Sequence, residues 1–101
     1  MSVTSSKSDD GKILTLKVGG KFDFSMHNDF RKAYKDETIS SGSYEVDLSS
    51  TDYLDSSALG VLLLLKEFVE SHSSSVVIKN AASEVKEILN IASFDKLFTI
   101  E

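Results

Sequence analysis

Residues 46–68 read VDLSSTDYLDSSALGVLLLLKEF, and the order of residue types in this stretch decides the fold. Tyr44, Val46 and Leu48 alternate with polar residues in the manner of a half-buried strand. A polar turn follows, and Ala58, Leu59 and Gly60 then lead into the apolar run from Val61 through Leu65. The pattern predicts strand, loop and helix, with Asp55, Ser56 and Ser57 where the loop becomes the helix. Hydroxyls at that place lie among unpaired backbone N–H groups at the positive end of the helix dipole. A phosphate there is stabilised rather than repelled. Either serine can be a plain helix cap or a place where chemistry happens.

Composition narrows the function classes. With 101 residues, 41% of them hydrophobic, the chain can build one core but not two, so a single domain over residues 1–101 is expected. Its net charge is −5 and its eleven basic residues are scattered, Arg31 and Lys32 being the only adjacent pair. That argues against nucleic acid as a partner, because phosphate-backbone binding needs clustered Lys and Arg. The lack of cysteine removes disulfides, thiolate catalysis and zinc–thiolate sites, and suits a reducing compartment. Residues 1–10 show neither the basic start nor the apolar run of a secretory signal. The longest apolar run, residues 58–65, falls far short of the roughly 18 residues that span a bilayer. A soluble, cytoplasmic protein with no membrane partner is expected.

Taken in order, residues 1–10 are Ser-rich and read as an edge strand of a hairpin or a frayed tail, with a turn at Asp9, Asp10 and Gly11. Residues 12–18 alternate as a strand that Gly19 and Gly20 are expected to break. Ser25 is a plausible N-cap for a first helix over residues 25–35, in which Met26, Phe30, Ala33 and Tyr34 recur at helical spacing. Ser40 to Ser43 read as a loop, and the strand of residues 44–48 then feeds a helix from Ser56 to about Ser71. Val76, Val77 and Ile78 form a continuous apolar run, as expected for a strand covered on both faces. Ala82, Val85, Ile88, Leu89 and Ala92 mark a third helix started by Ser83, and the chain closes with a turn and a short strand. The order β-β-α-β-α-β-α-β implies a mixed sheet with helices packed on it.

At about 100° per residue, Ala58, Val61, Leu62, Leu65, Phe68 and Val69 fall on the core side of the central helix. Ser56, Leu59, Gly60, Leu63 and Glu67 line up on the other side, with Glu70 beyond them. An apolar strip that begins at a serine on the solvent side suits a docking surface for another protein. Cover by a neighbouring helix of the same domain would also account for Leu59 and Leu63. Gly60 costs a helix about 1 kcal/mol relative to Ala. Close approach of a partner's backbone, or helix-end packing inside the domain, would explain it.

Catalytic roles find little support. A nucleophilic serine needs a base within hydrogen-bond reach and a group to orient it. His72 lies about 24 Å from Ser56 along the same helix at ~1.5 Å per residue. His27 is the remaining histidine, and neither Gly-x-Ser-x-Gly nor an oxyanion loop accompanies it. Asp23, Asp52 and Asp55 lack the spacing of a Ca²⁺ loop, and Gly19-Gly20-Lys21 lacks that of a phosphate loop. No metal, cofactor or enzymatic activity is expected. Ser56 and Ser57 then read as substrates of a kinase, where a phosphate would add about −1.5 to −2 charges at the edge of the apolar strip.

Asp47-Leu48-Ser49, followed by Leu54-Asp55-Ser56-Ser57-Ala58-Leu59-Gly60, resembles the signature of the STAS domain, specifically of the bacterial anti-sigma factor antagonists. Gly20-Lys21-Phe22-Asp23 is similar to that family's Gly-x-Leu-Asp segment, and the element order fits across essentially the whole chain. The resemblance implies an α/β fold, a single STAS domain with a mixed sheet of four to five strands flanked by about three helices. It also implies phosphorylation of Ser56 by a serine kinase of the histidine-kinase-like ATPase type, often the anti-sigma factor itself, and reversal by a PP2C-type phosphatase. In that family the unphosphorylated form holds the partner and the phosphorylated form releases it. Asp23, Asp55 and Ser57 then belong to the recognised surface, together with Leu59, Gly60, Leu63 and Glu67, on a protein that is monomeric when free. Ala58 stands where the family more often has Gly, which adds a methyl beside the switch. The reading from a different class is a STAS module that binds a small ligand or nucleotide, or a structural part of a sensory complex. Nucleotide titration watched at Asp23 and Ser56 separates the two.

Overall fold

A hairpin opens the chain, with β1 (Ser2–Lys7) antiparallel to β2 (Ile13–Phe22) from the pair Ser2–Gly19 to the pair Lys7–Leu14. Asp10 closes its loop by accepting hydrogen bonds from the Ser8 hydroxyl at 2.6 Å and the Lys12 N–H at 3.0 Å. The structure is a computed structural model that describes residues 2–36 and 42–101. Met1 lies outside it, as do Ser40 and Ser41 of the expected loop, and Ser43 already belongs to a strand.

After β2 come a 3-10 turn (Phe24–Met26) and α1 (His27–Asp36), then β3 (Ser43–Asp47) and β4 (Thr51–Leu54). The chain continues through α2 (Ser56–Ser71), β5 (Ser75–Lys79), α3 (Ser83–Ile91), a second 3-10 turn (Phe94–Lys96) and β6 (Thr99–Ile100). The sheet runs β1-β2-β3-β5-β6, and every pairing after the first hairpin is parallel. The α/β class, the mixed sheet and the three helices agree with the sequence reading.

Two expectations about the sheet need correction, and they share a cause. Gly19 and Gly20 do not end β2. Instead Gly20 adopts φ 84°, a left-handed conformation that glycine reaches without steric cost, and the register shifts between Gly20 and Lys21. The strand pairs with β3 up to Lys17–Asp47, and past the irregularity it pairs with β4 from Gly20–Thr51 to Phe22–Leu54. The segment taken for a polar turn is therefore a strand, and the described residues form six strands where four to five were expected. Thr51 anchors it, with a buried hydroxyl that donates to the Val18 carbonyl at 2.7 Å.

One face of the sheet carries the core. Leu14, Leu16, Val18, Tyr44, Val46 and Ile78 are fully buried against Phe30 and Tyr34 of α1, Leu62, Leu65 and Val69 of α2, and Val85 and Leu89 of α3. Rings continue the packing from β2 to α2: Phe22–Phe30 at 5.2 Å, Phe30–Tyr34 at 5.9 Å, Tyr34–Phe68 at 4.9 Å. Tilted and edge-on contacts of this kind add to the burial of the rings themselves. Val77 is not covered on both faces as expected. It projects from the opposite side of the sheet, where it is half-buried among Thr15, Lys17, Glu45, Asp47 and Lys79. Lys17, Asp47 and Lys79 form one cross-strand row of alternating charge, and Lys79 meets Glu45 at 3.2 Å. That face stays hydrated.

Candidate functional site

The parallel pair Phe22–Leu54 brings two strand ends to one level, and each chain turns into a helix one residue later. Asp55 N–H donates to the Phe22 carbonyl at 3.3 Å and ties the two exits together. Asp23 caps the first exit, its carboxylate accepting from the Ser25 N–H at 3.0 Å and from the Ser25 hydroxyl. The cap of this helix entry is thus Asp23, not Ser25 as expected, because the extended backbone of Asp23 turns its carboxylate onto the following N–H groups.

Asp55 caps the second exit. Its Oδ1 accepts from the Ser57 hydroxyl at 2.6 Å and the Ala58 N–H at 3.0 Å. The Ser57 hydroxyl and then the Ala58 N–H hold the Asp55 carboxyl below the usual carboxylate range. Ser57 is therefore engaged and half-buried. Ser56 is exposed, and its hydroxyl makes no hydrogen bond among the described residues. Asp47 shapes the turn into β4 by accepting from the Ser49 N–H at 2.9 Å. Burial pushes the Asp47 carboxyl up, but Ser49, Asn80 and the Lys17 charge outweigh it and the net shift is downward.

The face of α2 that the helical angle assigns to the core is buried as expected, Phe68 being partly buried against it. The opposite strip divides. Leu59 leans toward α3, where it is half-buried against the core and lines an apolar groove of about 430 Å³ with Tyr53, Ile88 and Ile91, Ser56 lying on the rim. Gly60 leans the other way, into a notch of about 280 Å³ beside Phe24, His27 and Leu64. Glu67 lines the continuation of that notch along α1. Leu63 is 40% exposed and lines neither groove. So Asp23, Asp55, Ser56 and Ser57 stand together at the helix entrances, whereas Leu59 and Gly60 belong to different flanks. Helix-end packing does not explain Gly60, since a Cβ built there meets nothing within 4 Å.

Five further residues shape these surfaces and are not among the sequence's candidate site residues: Phe24, 70% exposed, Ile91, 78% exposed, Tyr53, Leu64 and Ile88. Leu64 was within reach of the helical angle, being four residues past Gly60. The others depend on which elements become neighbours. Both histidines pack on aromatic rings. His72 Nδ1 lies 2.8 Å from the Phe68 carbonyl oxygen, with its ring stacked on Phe68, and His27 stacks on Phe24. No helix among the described residues is long and apolar enough to cross a membrane.

Comparison with known proteins accounts for nearly the whole chain. The family model described as Mlab, STAS domain matches residues 5–99. A STAS-domain containing protein of Pseudomonas aeruginosa is 44% identical over 100 residues, covering 99% of each chain. Among solved structures, a Thermotoga maritima protein assigned as an anti-sigma factor antagonist superposes with a TM-score of 0.82 at 19% identity, covering 97% of this chain and 84% of its own. The anti-sigma factor antagonist SpoIIAA of Bacillus, in its unphosphorylated form, gives 0.70 at 10% identity over 99% of this chain and 87% of its own. Its phosphorylated form gives 0.68 at 10% identity over 99% and 91%. At such identities the structures speak for the fold alone, but the family pattern from residue 5 to residue 99 and the end-to-end relative place this chain in the STAS-domain family.

Proposed function

We propose that this chain is a non-enzymatic, phosphorylation-switched binding module of the anti-sigma factor antagonist kind. Unphosphorylated, it holds an anti-sigma factor with serine kinase activity of the ATPase type, or a similar regulator. Phosphorylation of Ser56 releases it, a PP2C-type phosphatase resets it, and the outcome controls transcription or another signalling output. The observation that carries this reading is the contrast between two adjacent serines: Ser57 is held by Asp55, while Ser56 is exposed, unbonded among the described residues, and set on the rim of an apolar groove.

The amino end of α2 tolerates a phosphate because its free N–H groups and dipole offset the charge. The fold therefore survives the modification. A partner seated on Tyr53, Leu59 and Ile91 would have to strip water from that phosphate, which opposes binding unless the partner supplies Arg or Lys. Solved SpoIIAA forms with and without the phosphate are compatible with a fold that accepts one.

The test compares Ser56→Ala and Ser56→Asp chains in their own cells, by pull-down and by mass spectrometry of the wild-type protein. Expected are phosphate on Ser56, constitutive capture of the partner by Ser56→Ala, and loss of it by Ser56→Asp with an unchanged thermal transition. Equal capture by the two variants would sink the switch.

A further inference from the structure

The other flank of α2 holds a second surface, lined at its upper end by Ser57 and separate from the groove beside Ser56. The notch over Gly60 continues into a groove of about 350 Å³ between α1 and α2, sharing His27 and Leu64 with it. One wall is the α1 row His27, Arg31 and Lys35, at positions i, i+4 and i+8 on one helix face. The other is the α2 row Gly60, Leu64 and Phe68, with the same spacing. Tyr34 closes the floor by packing on Phe68 at 4.9 Å.

Three observations limit what can lie there. The α1 wall carries Arg31 and Lys35 on a protein whose net charge is −5, Arg31 has no salt bridge among the described residues, and Glu67 is the one carboxylate among the described lining residues. The upper end is apolar and open, with Phe24 70% and Leu64 47% exposed. Gly60 keeps the α2 backbone bare at a place where no described residue comes within 4 Å of an added Cβ, which shortens the approach of whatever sits above. Gly60 to Phe68 spans about 12 Å of helix, roughly two turns.

We infer that the α1–α2 groove docks an acidic amphipathic helix of a partner protein. One apolar anchor enters the notch over Gly60, a second rests near Phe68 about two turns away, and a carboxylate on its flank meets Arg31. Anchors at this spacing are how a helix is read by a groove, and the charges set its direction. A failed test of this groove would leave the Ser56 switch standing, because the two surfaces lie on opposite flanks of α2.

The test is a titration of the isotope-labelled full chain with a capped helical peptide carrying leucines at i and i+7 and glutamates beside them. A matched peptide has every glutamate replaced by lysine. At low ionic strength the acidic peptide is expected to shift the amides of Arg31, Gly60 and Leu64, and the basic peptide to leave them in place. Arg31→Glu should weaken the acidic peptide about tenfold or more, the scale of one close charge contact reversed. Glu67→Gln should strengthen it. Gly60→Leu, whose Cβ meets nothing within 4 Å, should block the notch. The inference is overturned if the two peptides act alike, if the acidic peptide gives no shift at millimolar concentration, or if the shifts centre on Tyr53 and Ile91. Shifts of the same amides on raising protein concentration alone would assign the groove to a second copy of this chain and likewise overturn it.

Discussion

Asp23 and Asp55 hold equivalent places on neighbouring parallel strands: each stands one residue past the Phe22–Leu54 pair, and each turns its carboxylate onto the N–H groups of the helical segment that follows. The Asp55 N–H also reaches back to the Phe22 carbonyl, so the two helix entrances form one unit. Loops at the carboxyl ends of parallel strands are where open α/β sheets gather their functional groups. Here the shared level of the strands brings the entrance at Asp55 against the end of β2 at Phe22, although the two lie far apart in the chain.

Removing the Asp55 carboxylate should loosen that unit. Asp55→Ala frees the Ser57 hydroxyl and leaves the Ala58 N–H only the backbone carbonyl of residue 55, at 3.1 Å. The urea midpoint is expected to fall with the slope unchanged, and the first-turn amides of α2 should exchange faster with solvent. Asp55→Asn, which keeps an acceptor oxygen, should retain most of the midpoint.

The same residue sets a pH dependence. The folded Asp55 carboxyl lies below its ordinary range, so the unfolded chain binds the proton more readily. Its stabilisation is complete above the unfolded value of about 3.9 and disappears as pH falls through the lower folded value. Urea midpoints taken from about pH 5 down to pH 2 should therefore decline less steeply for Asp55→Asn than for the wild type. Equal slopes would show that the Ser57 hydrogen bond does not favour the ionised form.

Gly60→Ala should stabilise the domain. A Cβ at this site meets nothing within 4 Å, so the substitution adds helix propensity without a clash. A gain of up to about 1 kcal/mol is expected, or a rise of roughly 4–8 °C in the thermal midpoint. A drop would mean that the α2 backbone needs glycine for a reason internal to the fold.

Thr51→Val tests the unexpected strand. It keeps the shape and removes the hydroxyl that donates to the Val18 carbonyl, leaving a buried acceptor unpaired at a cost of about 1–3 kcal/mol. Amide exchange should quicken at Gly20, whose N–H is bonded to the Ser50 carbonyl, before it does in α2. By contrast, Leu62→Ala opens a hole at a fully buried position and should cost about 2–5 kcal/mol across the whole domain.

The sequence by itself determined the parts that depend on local pattern. Alternation and helical spacing are periodic, so β3, the buried stripe of α2 and the three helices were legible, and so was the family motif around Asp55 and Ser56. Tertiary structure decided whatever depends on neighbours distant in the chain. Thr51–Leu54 has no alternation and becomes a strand only because β2, turned at Gly20, offers it an edge. Leu59 and Gly60 share one side of a helix drawn alone, yet α3 covers one flank and α1 borders the other, which splits a single strip into two surfaces. The difference between Ser56 and Ser57 is of the same kind. Both are hydroxyls at a helix start, and the direction in which the backbone turns the Asp55 carboxylate leaves one bound and the other exposed.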